Sequence, residues 1–167
     1  MRRRFINNSD VQYPTNINNY LTVEALEDGL TVSLSDNACR YCVNGDGNWK
    51  LLAAGVATES INAGQTLSFR GNLTPTSNAG IGTFTISKKC NLKGNCMSML
   101  DDTNAPFITT IIKSYAFKAL FYDCVNIVNV SENFLPATTL ANNCYNSMFS
   151  GCTNLTTAPK LPATTLT

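Results

Sequence analysis

"FSGCTNLTTAPKLPATTL", running from Phe149 to Leu166, echoes "LFYDCVNIVNVSENFLPATTL", running from Leu120 to Leu140. Laying Phe121-x-x-Cys124-x-x-Ile127 on Phe149-x-x-Cys152-x-x-Leu155 gives a shift of 28 residues, and laying the two "LPATTL" strings on each other gives 26. The first copy therefore carries two extra residues, within "NVSENF". Self-similarity at a period of roughly 20–50 residues marks a stacked repeat and outranks local propensity. The three-residue spacing of aromatic, Cys and aliphatic positions suits a tight turn of helix that runs into a short strand. It predicts a repeat core of Phe121, Cys124, Ile127 and Leu135, matched by Phe149, Cys152, Leu155 and Leu161. "AFKALF" and "CYNSMF" are expected on a convex helical side, and "IVNV" and "LTTA" as strands. Pro159 falls just behind the second strand, where no ladder donor is needed. Outward strand positions, Val128 and Thr156, begin a candidate binding face.

Working back towards the amino terminus, the pattern changes near residue 105. "LTVEAL" and "LTVSLS" alternate around "EDG", which reads as a hairpin of Leu21–Leu26 with Leu30–Ser35. "ACRYCV" and "NWKLLAA" flank "NGDG", a hairpin signal because Asn and Gly tolerate positive φ. Strands are further expected around Thr66–Arg70 and within Gly80–Ser87, while "KKCNLKGNCMSML" reads as an irregular linking segment. Short strands at this spacing suggest a small antiparallel sandwich or barrel. The expected organisation is mainly β: an extended arm at 1–19, a β-sandwich-like domain at 20–104, and the start of a leucine-rich-repeat solenoid with short helices at 105–167. Its atypical first repeat covers about 115–140 and its second about 141–167. A solenoid usually needs about three units and a cap, so the array is expected to continue or to be covered by another chain.

Composition narrows the function classes. Hydrophobic residues make up 44% of the 167 and charged residues 14%, enough to bury a core. Net charge is +1, which gives no electrostatic claim on nucleic acid or membrane. No apolar run approaches the roughly 20 residues of a membrane span. "MRRRFINNSDVQYP" has a basic start without the apolar segment of a signal peptide, so export by another route is expected. The chain has no histidine, which removes Ser-His-Asp and Cys-His systems and His general bases. "AGIGTF" opens a strand rather than a helix and does not read as a dinucleotide loop.

Seven cysteines are present. Cys39-x-x-Cys42 with Cys90 and Cys96 could bring four thiolates to zinc, or pair as disulfides. Positions three apart on a strand point to opposite faces, which favours plain thiols, and no metal or cofactor is assigned. The carboxylates Glu24, Glu27, Asp28, Asp46, Glu59, Asp101, Asp102, Asp123 and Glu132 mostly fall at turns and read as solvated groups rather than a glycosidase pair. Asp101-Asp102 reads as a turn, with a weak calcium site as the alternative. No enzyme is expected.

At the repeat residues the chain resembles the BspA-like leucine-rich-repeat family. "MFSGCTNLTTAPKLPATTL" is similar to arrays in proteins of Bacteroides-group bacteria and their phages. "MRRRF", "LTVEALEDGLTVSL", "LSFRGNLTP" and "GIGTFTISKKCNLKGNCMSML" resemble the domain that precedes such arrays in phage and prophage proteins. The resemblance implies a virion attachment protein, a head or tail fibre assembled in the host cytoplasm. In that reading Arg2, Arg3, Arg4 and Phe5 anchor the chain to capsid or tail proteins. The array presents a surface to bacterial glycan or protein, and a homo-oligomer, a trimer, is expected. The alternative is a bacterial cell-surface adhesin. A shared scaffold does not by itself fix function.

Overall fold

A computed structural model describes residues 16–76 and 78–167. The anchoring residues Arg2, Arg3, Arg4 and Phe5 lie outside them. In chain order the strands are β1 (Leu21–Ala25), β2 (Val32–Leu34), β3 (Cys39–Val43), β4 (Lys50–Leu52), β5 (Thr66–Arg70) and β6 (Phe84–Ile86). They continue with β7 (Cys90–Lys93), β8 (Thr110–Ile111), β9 (Ile127–Val130), β10 (Thr139–Leu140) and β11 (Thr165–Leu166). Among the described residues the helical elements are short 3-10 turns at Ile17–Asn19, Cys96–Met99 and Ala105–Phe107. Among the described residues the fold is mainly β, with several sheets, no closed barrel and no leucine-rich-repeat solenoid.

The largest sheet has six strands in the order β4-β3-β5-β1-β7-β9. Its central strands β1 and β5 are mostly buried, whereas β3 leaves Arg40 exposed. In β1, Leu21, Val23 and Ala25 are fully buried, and so is Thr22, whose hydroxyl lies 2.9 Å from that of Ser68. Ser98 is buried for a similar reason. It accepts the Leu21 N–H at 2.9 Å and donates to the Phe69 carbonyl at 2.8 Å, so its hydroxyl is not left unpaired. A second sheet pairs β2 with β6, and a third runs β11-β10-β8 in parallel. One continuous apolar cluster, from Leu21 to Cys152, underlies all of them.

Three expectations about this region are corrected. The hairpin of Leu21–Leu26 with Leu30–Ser35 does not form: β1 pairs with β5 and β7, and β2 pairs with β6. Alternation specifies which face a side chain takes, not which strand lies beside it. "KKCNLKGNCMSML" is not a linker. Its Cys90–Lys93 forms β7, between β1 and β9, and Cys96–Met99 is a fully buried 3-10 turn capped by the Asn95 side chain. "AFKALF" and "CYNSMF" are turns rather than helix. The expected β3–β4 hairpin around "NGDG" is present, with Asn44, Gly45 and Gly47 at positive φ.

The two copies of the repeat lie as two coils stacked on the sheet. β9 pairs in parallel with β7, so the first coil shares the six-stranded sheet rather than hanging from a linker. The carbonyl of Asn126 accepts the Cys90 N–H at 2.9 Å, and the carbonyl of Leu92 accepts the Ser131 N–H at 2.9 Å.

Candidate functional site

The coil stack is the part of the molecule that the sequence marks for function, and its geometry follows from a four-residue conformational period. In the first coil Tyr115, Ala119 and Asp123 have φ of 61°, 55° and 56°. In the second, Asn143, Ser147 and Gly151 have φ of 55°, 55° and 80°. Left-handed backbone costs an ordinary L-residue about 1–2 kcal/mol, less for Asn and nothing for Gly. Between these positions short turns close on themselves, as in Lys118 N–H to Tyr115 O at 3.0 Å and Asn146 N–H to Asn143 O at 3.1 Å. The remaining N–H groups are left pointing along the stack. A helix would have used them internally, which is why the helical expectation fails here.

Those free donors join the layers. In the first coil the N–H groups of Tyr115, Phe117, Ala119, Phe121 and Asp123 donate to the carbonyls of Asn142, Cys144, Asn146, Met148 and Ser150, at 2.7–3.0 Å. In the second coil the equivalent groups, on Asn143, Tyr145, Ser147, Phe149 and Gly151, make no hydrogen bond to any described residue.

Side chains repeat the same arithmetic. Phe84 of β6, Phe121 and Phe149 stack in a column, with centroids 5.6 and 5.5 Å apart and planes within 14° and 7° of parallel. Phe117 stacks on Tyr145 at 5.8 Å. The Cys124 thiol donates to the Phe84 carbonyl at 2.9 Å, and the Cys152 thiol to the Phe121 carbonyl at 3.1 Å. Asn126 and Asn154 each donate to a carbonyl of the layer beneath, Ile86 O and Val125 O, both at 2.8 Å. Strand β6 thus serves as the layer below the first coil. Close approach there depends on Gly80, where a Cβ would lie 2.8 Å from the Lys118 carbonyl oxygen.

Of the expected repeat core, Phe121, Cys124, Ile127, Leu135 and Cys152 are buried, and Phe149 and Leu155 are half-buried. Leu161 is a correction: it is 58% exposed and lies outside the packed cluster, because among the described residues the outer coil has neighbours on one side only. On the candidate binding face, Val128 is half-buried and Thr156 exposed. The Thr156 hydroxyl is already engaged, 3.1 Å from the Val128 carbonyl oxygen and 2.9 Å from Asn129 Oδ1. Asn129 in turn donates to Asn91 Oδ1 at 3.2 Å, and Asn91 to Glu24 Oε2 at 2.8 Å. This polar row ties the second coil across β9 and β7 to β1.

The chemistry available in the stack is limited. All seven cysteines are free and buried. Burial pushes the Cys39, Cys90 and Cys124 thiols up to about 12, and raises those of Cys42, Cys96, Cys144 and Cys152. Such thiols stay protonated at neutral pH and are poor nucleophiles and poor metal ligands. Among the described residues no group of three or more His, Cys, Asp or Glu side chains is placed to hold a metal ion. Asp101 Oδ1 accepts the N–H groups of Thr103 and Asn104 at 3.0 and 2.8 Å, the turn role expected of it. No described helix is long and apolar enough to cross a membrane.

The sequence did not single out a second cluster, at the other end of the large sheet. Arg40 and Arg70 meet there around Trp49, brought together from 30 residues apart by the pairing of β3 with β5. No local motif announces such a cluster, since only strand pairing creates it. No family model, curated protein or solved structure matches the chain.

Proposed function

We propose that this chain is the anchoring front of a phage attachment fibre, on head or tail, with a β-sandwich-like amino-terminal domain and the first layers of a leucine-rich-repeat solenoid. The observation that carries the reading is the layered ladder. Phe84, Phe121 and Phe149 stack along one direction, the Phe84 N–H donates to the Leu120 carbonyl of the first coil at 2.7 Å, and the first coil hands its N–H groups to the second. Such a device extends by repetition and presents side chains along a long face, as a binding stalk requires. In this reading the unpaired N–H groups of the second coil receive the carbonyls of a following unit. Arg2, Arg3, Arg4 and Phe5 grip capsid or tail proteins, the array meets bacterial glycan or protein, and the fibre is a homo-oligomer, a trimer. The protein is structural and not an enzyme.

Immunogold labelling of purified particles with antibody against residues 20–104 tests the proposal. Label at a fixed vertex or tail position is the expected result, and the position distinguishes head from tail. Unlabelled particles with label on the bacterial envelope overturn it in favour of a cell-surface adhesin.

A further inference from the structure

In the antiparallel register Arg40 on β3 lies directly opposite Arg70 on β5, and Leu51 on β4 opposes Arg40 from the other side. The three side chains therefore form a row on one face of the sheet. Like charges placed directly opposite each other are destabilising. Yet neither guanidinium forms an ion pair among the described residues, where the carboxylates in ion pairs are Glu24, Glu27, Glu59 and Glu132, each held by a lysine.

The two arginines are also held in place. Arg40 Nη1 reaches the Trp49 carbonyl at 3.5 Å, and the Arg70 guanidinium carbon stands 4.3 Å from the centroid of the Trp49 ring. Tyr20 packs on that ring at 4.9 Å. Arg70 Nε is shut off from water and has no acceptor among the described residues. A cleft of about 200 Å³ opens between Arg40, Leu51, Arg70, Asn72 and Asp102. Asp102 is tied to Asn72, 30 residues earlier: its Oδ1 accepts from Asn72 Nδ2 and Thr103 Oγ1, and its N–H donates to Asn72 Oδ1, all at 3.1 Å, which leaves Oδ2 free among the described residues.

We propose that this cleft binds the carboxylate of an acidic sugar, a hexuronate. Paired guanidiniums recognise a carboxylate through parallel N–H···O bonds, and Arg suits such planar, two-pronged contacts better than Lys. Leu51, 67% exposed, offers an apolar patch to the C–H face of a pyranose ring. The free Asp102 oxygen accepts from a sugar hydroxyl. A carboxylate oxygen beside two guanidiniums suits a ligand that carries hydroxyl donors next to its anionic group, as a hexuronate does, better than an anion alone. This binding belongs to the β-strand region and stands whether or not the chain is part of a particle.

Trp49 is the only tryptophan, so its emission reports on the two arginines it contacts. Purified protein is titrated with trigalacturonate, with neutral galactotriose and with inorganic phosphate, and amide chemical shifts of the cleft are followed in parallel. Trigalacturonate is expected to change Trp49 emission saturably and to shift the cleft amides, while the other two do neither. Arg40→Ala is expected to weaken binding at least about tenfold, and Arg70→Lys, which keeps the charge, to weaken it measurably. Absence of both signals with trigalacturonate overturns the proposal. So does equal binding of galactotriose or phosphate, or unchanged affinity in folded Arg40→Ala.

Discussion

In the inner coil, Tyr115 to Asp123, every forward-facing N–H ends on a carbonyl of the next layer; in the outer coil, Asn143 to Gly151, the equivalent groups end on no described residue. The backbone conformation is nevertheless the same in both, left-handed at every fourth residue. Conformation therefore follows the sequence pattern, whereas stability follows what lies on either side. The outer coil also carries Asn, Ser and Gly at its left-handed positions, where the inner one carries Tyr, Ala and Asp. The better-supported layer tolerates the costlier residues.

The widest gap between the coils is expected in amide hydrogen exchange. Phe117, Ala119 and Phe121 should be protected by at least on the order of 10³, since their exchange requires the layers to part. Tyr145, Ser147 and Phe149 should exchange close to the unprotected rate. Equal protection in free protein would break the contrast and indicate a partner over the outer coil, including a second copy of the chain.

Next in size is truncation of the aromatic column. Phe121→Ala removes a fully buried ring that lies between two others, which should cost about 3–5 kcal/mol. Phe149→Ala removes a half-buried ring stacked on one face only, with Phe134 tilted against it at 6.4 Å, and should cost roughly half as much. Urea denaturation of both variants checks the ratio, and equal losses would mean that the outer ring is covered in solution.

A smaller effect comes from the thiols. Burial raises Cys90 and Cys124 from the ordinary 9.0 to about 12. Between those values the unfolded chain releases protons that the folded one keeps. Their contribution is thus complete below about pH 9 and is lost as pH rises towards 12. Denaturation midpoints measured across that interval should fall, and Cys124→Ala should flatten the fall. The smallest change is at the backbone. Ala119→Gly relieves a left-handed alanine and should alter stability by less than about 1 kcal/mol, in either direction. Gly151→Ala should destabilise, because its Cβ would meet the Asp123 side chain and lie 3.0 Å from the Asp123 Cα. Thermal melts of the two variants give the signs.

How far the sequence discloses all this depends on what each contact is made of. The repeat was legible because its contacts are made by residues of recognisable type at equal spacing: ring on ring, thiol on carbonyl, Asn on carbonyl. The coil's conformation was not, because Phe-x-x-Cys spacing fits a helical turn as well as a chain of tight turns. Strand identities were mostly readable from alternation and turn residues. Strand partners were not, and so Cys90–Lys93, between Lys- and Gly-containing flanks, passed for a linker although it lies between β1 and β9. The Arg40–Arg70 row depends on the same unseen pairing, and so did the engagement of Thr156 with Asn129.

The parallel pairing of β9 with β7 has a mechanical consequence. A stack that grows out of a sheet to which its own strand belongs has no swivel at its base. Torque on the coils passes through β9 into β7 and β1 as shear across main-chain hydrogen bonds, which yield together rather than one at a time. The bearing of the coils relative to the sheet is therefore set when the chain folds. Anything the outer coil meets meets it at a fixed angle to whatever holds the β-strand region.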